Sequence, residues 1–222
     1  MTIIAHRSGP TVYPEQTIAS AKLALEQGAD LVEIDTRFTM DGAIAICHDC
    51  NAERVFGVEK EIDEMTAGEF HALHHKNAPD YGAHLLTEYL EAGISPLLIH
   101  VKEGGERLPE LLQALSGWDG AYTLGLATAA DIAFVKAYDK NIPVLAFMGK
   151  PEQMEACAEA GADYIRLWER WVTPERVDAI HAMDKKCWVM TGYGEGVGVP
   201  EDLSRLLALP LDGILINDIT QI

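Results

Sequence analysis

The chain has 222 residues, 48% of them hydrophobic, and a formal charge of −18 from 35 acidic and 17 basic residues. That length suits one large domain, and the hydrophobic fraction allows a sizeable core. The acidic balance argues against nucleic acid or an anionic membrane as partner, so any anionic ligand has to be met by a local cluster of cations.

The first residues, MTIIAHRSG, contain no apolar stretch long enough for a signal peptide or a membrane span; the expectation is a cytoplasmic protein without stable membrane association. Short apolar runs then follow at Thr2–His6, Leu31–Asp35, Pro96–Lys102, Ala121–Ala127, Pro143–Met148, Asp163–Leu167, Cys187–Thr191 and Asp212–Asn217. Helical patterns separate most of them, at Thr17–Gln27, Leu108–Leu115, Ala129–Asp139, Pro151–Ala160, Pro174–Met183 and Pro200–Leu207. Pro151, Pro174 and Pro200 sit in first turns, a helix-start signal, and Gly28 and Gly161 close helices before the next strand. Strands alternating with helices imply parallel pairing through right-handed crossovers. Eight such strands make a closed (β/α)8 TIM barrel the leading reading. An open doubly wound sheet is the alternative, but no glycine-rich phosphate loop follows the first strand.

After the second run, Asp41-Gly42 signals a tight hairpin. With those two residues as the turn, Phe38 pairs with Ala45 and Asp35 with His48, so Glu33, Asp35 and His48 share one face. Ala43–His48 is then the return arm of an excursion and not a barrel strand. The stretch from 49 to 90 is too long for an ordinary loop and reads as a small insertion after strand two, within a single domain covering 1–222. Its His71, His74 and His75 read as exposed helix histidines in preference to ligands. Cys47 and Cys50 form a lone C-x-x-C pair; with no second pair, free thiols are expected over a zinc site.

In such a barrel the active site lies where the strands end. The run ends carry His6-Arg7, Glu33 and Asp35, His48-Asp49, His100 and Lys102, Met190-Thr191 and Asn217-Asp218. Charges avoid a barrel mouth unless they are used or paired, because burying an unpaired charge is costly. Glu33 and Asp35, at alternate strand positions, suit a hard divalent cation. His6 and His48 can serve as general base and acid near neutral pH. Arg7 and Lys102 offer positive charge to an oxyanion. Together these parts fit metal-assisted phosphoryl transfer or phosphodiester cleavage. Each has a plainer use as well: Arg7 can pair with Glu15, Lys102 with Asp35, and either histidine can be a hydrogen-bonded rim residue. Trp168, Trp171 and Tyr193 can line a ligand site or pack between helices and rim, and packing is favoured for the tryptophans.

At this point the sequence resembles the glycerophosphodiester phosphodiesterase family. The likeness runs from His6-Arg7 and Pro14-Glu15-Gln16-Thr17, near the family's H-R-G…P-E-N-T, through Gly28-Ala29-Asp30-Leu31-Val32-Glu33-Ile34-Asp35, Thr39-Met40-Asp41-Gly42 and His48-Asp49, to Asp212-Gly213-Ile214 with Asn217-Asp218. It implies hydrolysis of a glycerophosphodiester to an alcohol and glycerol 3-phosphate, a small-molecule substrate, and one divalent ion, Mg²⁺ or Ca²⁺. It implies His6 and His48 as the acid–base pair, Arg7 and Lys102 on the phosphate, Glu33 and Asp35 on the metal, and Glu15 in support. The family's third metal ligand is usually a glutamate two residues before the lysine; here that position is His100. Imidazole favours softer ions, so Mn²⁺ or Zn²⁺ also comes into question. Ser8 stands for the usual glycine, Gln16 for asparagine, and Met190-Thr191 for Trp-Thr. These departures keep two other readings open: a barrel that binds phosphate esters without hydrolysing them, and a lyase that stops at a cyclic phosphate. The sequence does not settle the oligomeric state.

Overall fold

The computed structural model describes residues 1–222. In chain order its strands are β1 (Thr2–Ala5), β2 (Leu31–Phe38), β3 (Ile44–Ile46), β4 (His74–His75), β5 (Ala78–Gly82), β6 (Leu97–Val101), β7 (Tyr122–Leu126), β8 (Val144–Ala146), β9 (Tyr164–Trp168), β10 (Lys186–Met190) and β11 (Gly213–Ile216). Eight of them, all but β3, β4 and β5, pair in parallel in the order β1-β2-β6-β7-β8-β9-β10-β11, and β11 returns to β1. The (β/α)8 barrel is therefore closed, and each of the eight apolar runs supplies one of its strands.

The helices are α1 (Ile18–Glu26), α2 (Glu53–Phe56), α3 (Ala67–His71), α4 (Leu86–Glu91), α5 (Leu108–Leu115), α6 (Ala129–Tyr138), α7 (Met154–Glu159), α8 (Pro174–Ala182) and α9 (Leu203–Leu207). Thr17, Thr128 and Thr173 cap α1, α6 and α8 through their side-chain oxygens, which accept otherwise orphaned N–H groups. The helix expected over 200–207 begins later. Glu201 and Asp202 donate their N–H groups to the buried Glu169 carboxylate, and Asp202 becomes the cap of α9. No helix is long and apolar enough to cross a membrane.

The main core lies between the outward strand faces and the helices, with Val32, Ile34, Ile99, Leu124, Ile165, Val189 and Ile214 among its fully buried members. The inward faces hold a second cluster, including Ile4, Leu98, Leu145, Phe147, Trp188, Met190 and Leu215. Since side chains alternate along a strand, a run such as Leu97–Val101 feeds both layers, and the inward set turns polar towards the strand ends. A third cluster, with Val55, Phe56, Ile62, Met65 and Phe70, underlies the segment between β3 and α4.

The hairpin differs from its expected register. Phe38 pairs with Ile44, Arg37 with Ala45 and Thr36 with Ile46, so Asp35 faces Cys47, not His48. The turn spends three residues, Met40 to Gly42, between the paired Thr39 and Ala43, and Gly42 takes the left-handed conformation. Asp41 fixes this longer turn by accepting from Thr39 Oγ1 at 2.7 Å and from the Ala67 N–H at 2.9 Å.

Candidate active site

The strand ends open on a cavity of about 320 Å³. His6, Arg7, Asp35, His48, His100 and Lys102 line it together, with Phe147, Arg166, Trp168, Met190 and Tyr193.

His6 leaves β1 in a tight turn in which Arg7, Ser8 and Gly9 all have positive φ, at 48°, 67° and 70°. For the two non-glycine residues that conformation costs roughly 1–2 kcal/mol each. The turn carries the Arg7 N–H to Glu33 Oε2 at 2.7 Å, tying the first strand's end to the second. His6 Nδ1 lies 2.7 Å from Asn217 Oδ1, and Asn217 Nδ2 donates to the Val197 carbonyl at 3.2 Å. Because the amide nitrogen is used there, Oδ1 is left to accept, Nδ1 carries the proton, and Nε2 remains the free nitrogen. Gly198, at φ +84°, makes room for this pair: a Cβ there would fall 2.0 Å from Asn217 Oδ1 and 2.6 Å from His6 Nδ1. Burial, helped by the Arg7 charge, pulls His6 from its ordinary 6.5 down to about 4, so it is neutral at physiological pH.

His48 comes from the excursion. Its Nδ1 sits 2.7 Å from Asp49 Oδ1, and Asp49 also receives Arg54 Nε. Arg54 in turn grips Glu15 with Nη1 and Nη2, and Glu15 accepts from Arg7 Nη1 at 3.3 Å. One chain of charge-assisted bonds thus links the two sides of the mouth. Burial opposes ionisation of Asp49, but the His48 and Arg54 bonds prevail and hold its carboxyl well below the usual range.

Glu33, Asp35 and His100 bring one donor atom each to within 4.8 Å of one another. His100 Nδ1 is 2.9 Å from Asp35 Oδ1 and 3.7 Å from Glu33 Oε1. Lys102 Nζ is 3.0 Å from the same Asp35 oxygen, and Gln16 Nε2 donates to the other at 2.7 Å. Despite these close approaches, Glu33 Oε1 and Asp35 Oδ1 receive no hydrogen bond of good geometry, and both carboxylates are buried. Burial and the neighbouring Asp35 push Glu33 well up; Asp35 is also penalised by burial but is held well below the usual range by Lys102 and His100. Burial, then Lys102, lowers His100 to about 3, so the neutral ring faces two carboxylates. Orphaned acceptors converging with an imidazole nitrogen are a donor set that fits a divalent cation.

Residues 6–103 match the model of the glycerophosphoryl diester phosphodiesterase family. A glycerophosphodiester phosphodiesterase of Caldanaerobacter subterraneus is 32% identical over 111 residues, 50% of this chain and 37% of that protein. One from Bacillus altitudinis is 36% identical over 64 residues, 29% of this chain and 26% of its own length. In fold, a glycerophosphoryl diester phosphodiesterase from Parabacteroides distasonis covers 98% of this chain and 82% of its own, with a TM-score of 0.80 at 20% identity. A phosphodiesterase of Oleispira antarctica, solved in complex with the product sn-glycerol-3-phosphate, covers 98% of this chain and 93% of its own, with a TM-score of 0.81 at 20% identity. Over residues 6–103, somewhat less than half of its length, the chain is similar to the glycerophosphodiester phosphodiesterase family. The matched stretch spans only about a third of the length of such curated relatives.

All the residues that the family resemblance points to come together. Seven of them meet at the cavity or the three-donor cluster, and Glu15 stands behind Arg7. His48 lines the cavity although its expected cross-strand pairing with Asp35 does not form; it follows directly on Cys47, the residue that does face Asp35. The plainer pairings are present too, Arg7 with Glu15 and Lys102 with Asp35, and they hold the cations at the mouth. His71, His74 and His75 are spread over separate partners: Glu88, the Pro79 carbonyl and the Phe56 ring. The four cysteines are free. Trp171 packs against the main core, as favoured, but Trp168 and Tyr193 line the cavity. Three residues went unassigned in the sequence: Asn217, which fixes His6; Phe147, which stacks on His100 at 3.8 Å; and Arg166. Arg166 did leave a signal, as a charge in the middle of the apolar run YIRLW.

Proposed function

We propose that this chain is a divalent-metal-dependent phosphodiesterase that hydrolyses glycerophosphodiesters to an alcohol and glycerol 3-phosphate. One observation carries the reading: two histidines with different support, two mouth cations and two members of a three-donor cluster, Asp35 and His100, line a single cavity, with the third, Glu33, beside them. The product named in the Oleispira structure, on the same fold, agrees with it.

His6 acts as the base. It is neutral, its Nδ1–H is committed to Asn217, and its Nε2 can take the proton of the attacking hydroxyl. His48 acts as the acid. Its Nδ1 is bound to Asp49, whose carboxylate compensates the charge the ring carries when it holds both protons, and Nε2 delivers a proton to the departing alkoxide. Arg7, whose Nε has no hydrogen-bond partner, and Lys102 receive the phosphoryl oxygens. Glu33, Asp35 and His100 would hold a divalent ion, which supplies Lewis-acid charge to the phosphoryl group. A mixed oxygen and nitrogen set suits Mn²⁺ or Zn²⁺ better than Ca²⁺.

The test is turnover of glycerophosphodiesters by metal-stripped protein with Mg²⁺, Ca²⁺, Mn²⁺ and Zn²⁺ restored in turn, followed by phosphorus NMR. Alcohol release with open glycerol 3-phosphate under one of these ions is the expected result. Tight binding without turnover under any ion overturns the reading, and accumulation of a cyclic phosphate replaces the hydrolase with a lyase.

A further inference from the structure

Acidic residues outnumber basic ones 35 to 17, and five of the eight arginines have a carboxylate partner; of the other three, Arg176 donates to the Trp171 carbonyl at 2.7 Å. Arg7, Arg37, Arg54, Arg107 and Arg205 each have one within 4.0 Å. Arg166 has none. It lies on the inward face of β9, between Tyr164 and Trp168, is 3% exposed and forms part of the cavity wall. Its one hydrogen bond runs from Nη2 to the Met148 carbonyl at 3.1 Å; Nε and Nη1 have no partner. Aromatic rings hold the guanidinium in place, Trp168 at 4.3 Å, Phe147 at 5.1 Å and Trp171 at 5.7 Å from Cζ. Such contacts offset only part of the cost of removing a cation from water. Burial, with no acid to counter it, brings the group down to about 9. Four residues on, Arg170 lies over the ring of Tyr193, which lines the same cavity, and it too has no carboxylate within 4.0 Å. The phosphate site assigned above uses neither arginine.

We propose that Arg166, flanked by Arg170 at the rim, forms a second anion subsite in this cavity, which takes a carboxylate or phosphate on the ligand in addition to its phosphodiester. If the phosphodiesterase reading holds, the chain prefers glycerophosphodiesters whose alcohol carries an extra negative charge. A guanidinium with free donors suits either group, since both accept planar, paired hydrogen bonds.

Two matched pairs of probes test this, each differing by one anion: sn-glycero-3-phosphoethanolamine against sn-glycero-3-phosphoserine, which adds a carboxylate, and sn-glycero-3-phosphoinositol against its 4-phosphate. Binding is measured by calorimetry on metal-loaded His48→Ala protein, so that hydrolysis does not intervene, with Arg166→Met and Arg166→Lys built on that background. The expected result is that at least one anionic member binds about tenfold or more tightly than its partner. Arg166→Met then removes that advantage, leaves the affinity for the other member within about threefold, and Arg166→Lys restores part of it. The pair that responds tells a carboxylate site from a phosphate site. Equal binding within both pairs overturns the proposal, as does an advantage that survives Arg166→Met. Turnover is then followed on the otherwise unaltered enzyme. Hydrolysis without anionic preference leaves the phosphodiesterase standing and the subsite refuted; anionic preference in binding without hydrolysis of any probe does the reverse.

Discussion

The two histidines face the same cavity with different backing, and that difference sets their roles. His6 is buried beside a cation and bound to a neutral amide; His48 is bound to a carboxylate. Replacing either with alanine is expected to lower kcat by about 10² to 10⁴ while substrate still binds; steady-state kinetics with near-wild-type turnover in either variant would remove that residue from the mechanism. His100 sets a second expectation. A His100→Glu variant adds an oxygen ligand and a negative charge, so its activation profile should move from Mn²⁺ or Zn²⁺ towards Mg²⁺ or Ca²⁺; an unchanged order across the four ions would mean that His100 is no ligand. These residues were legible because ionisable groups at strand ends stand out against apolar runs. Asn217 and Phe147 were not, because an amide and an aromatic ring acquire their meaning only from the neighbour they meet, 211 residues away for Asn217 and His6. Phe147 reaches His100 because Gly125 offers no side chain: a Cβ there would lie 2.7 Å from its ring.

Among the elements, the barrel strands were readable as short continuous apolar runs, since each must bury both faces. The hairpin was not, because a two-residue and a three-residue turn can share an Asp-Gly sequence, and the choice here depends on Asp41 reaching Ala67 in α3. The segment from Gly192 to Asp202 shows the same dependence on a distant partner. It supplies Tyr193, Gly194 and Val197 to the cavity, and its ends are pinned by one buried carboxylate: Glu169 accepts from the Gly192, Glu201 and Asp202 N–H groups at 2.7, 3.0 and 2.9 Å. Glu169→Ala strips all three donors of their acceptor. A stability loss of about 2–4 kcal/mol in urea unfolding is expected, since each unmet buried donor costs about 1–3 kcal/mol and part of the segment can turn to water. Limited proteolysis should then cut the variant within 192–202 before the rest of the chain; resistance equal to wild type would show that the segment holds without its anchor.

For the whole molecule, the buried site makes folding stability a function of pH. His6 titrates at about 4 when folded and at 6.5 when exposed, and it is fully buried. As pH falls below 6.5 the unfolded chain takes up a proton that the folded one refuses, so the unfolded state gains. The stability tied to neutral His6 is complete above 6.5 and is lost as pH falls towards about 4, an amount of about 3 kcal/mol at roughly 1.36 kcal/mol per unit. Other groups act over the same range. Protonating carboxylates reduces the self-repulsion of a chain at −18, and Glu33, pushed up by burial and Asp35, opposes the histidine term. The contribution of His6 is therefore read as a difference. Unfolding free energies of metal-stripped wild type and His6→Asn, measured in urea from pH 7.5 to 4.5, should converge as pH falls, with the wild-type slope steeper by about 1.4 kcal/mol per pH unit between roughly pH 6 and 4.5. Parallel curves would mean that His6 takes up its proton over the same pH range folded and unfolded, and the argument that burial keeps it neutral would fall.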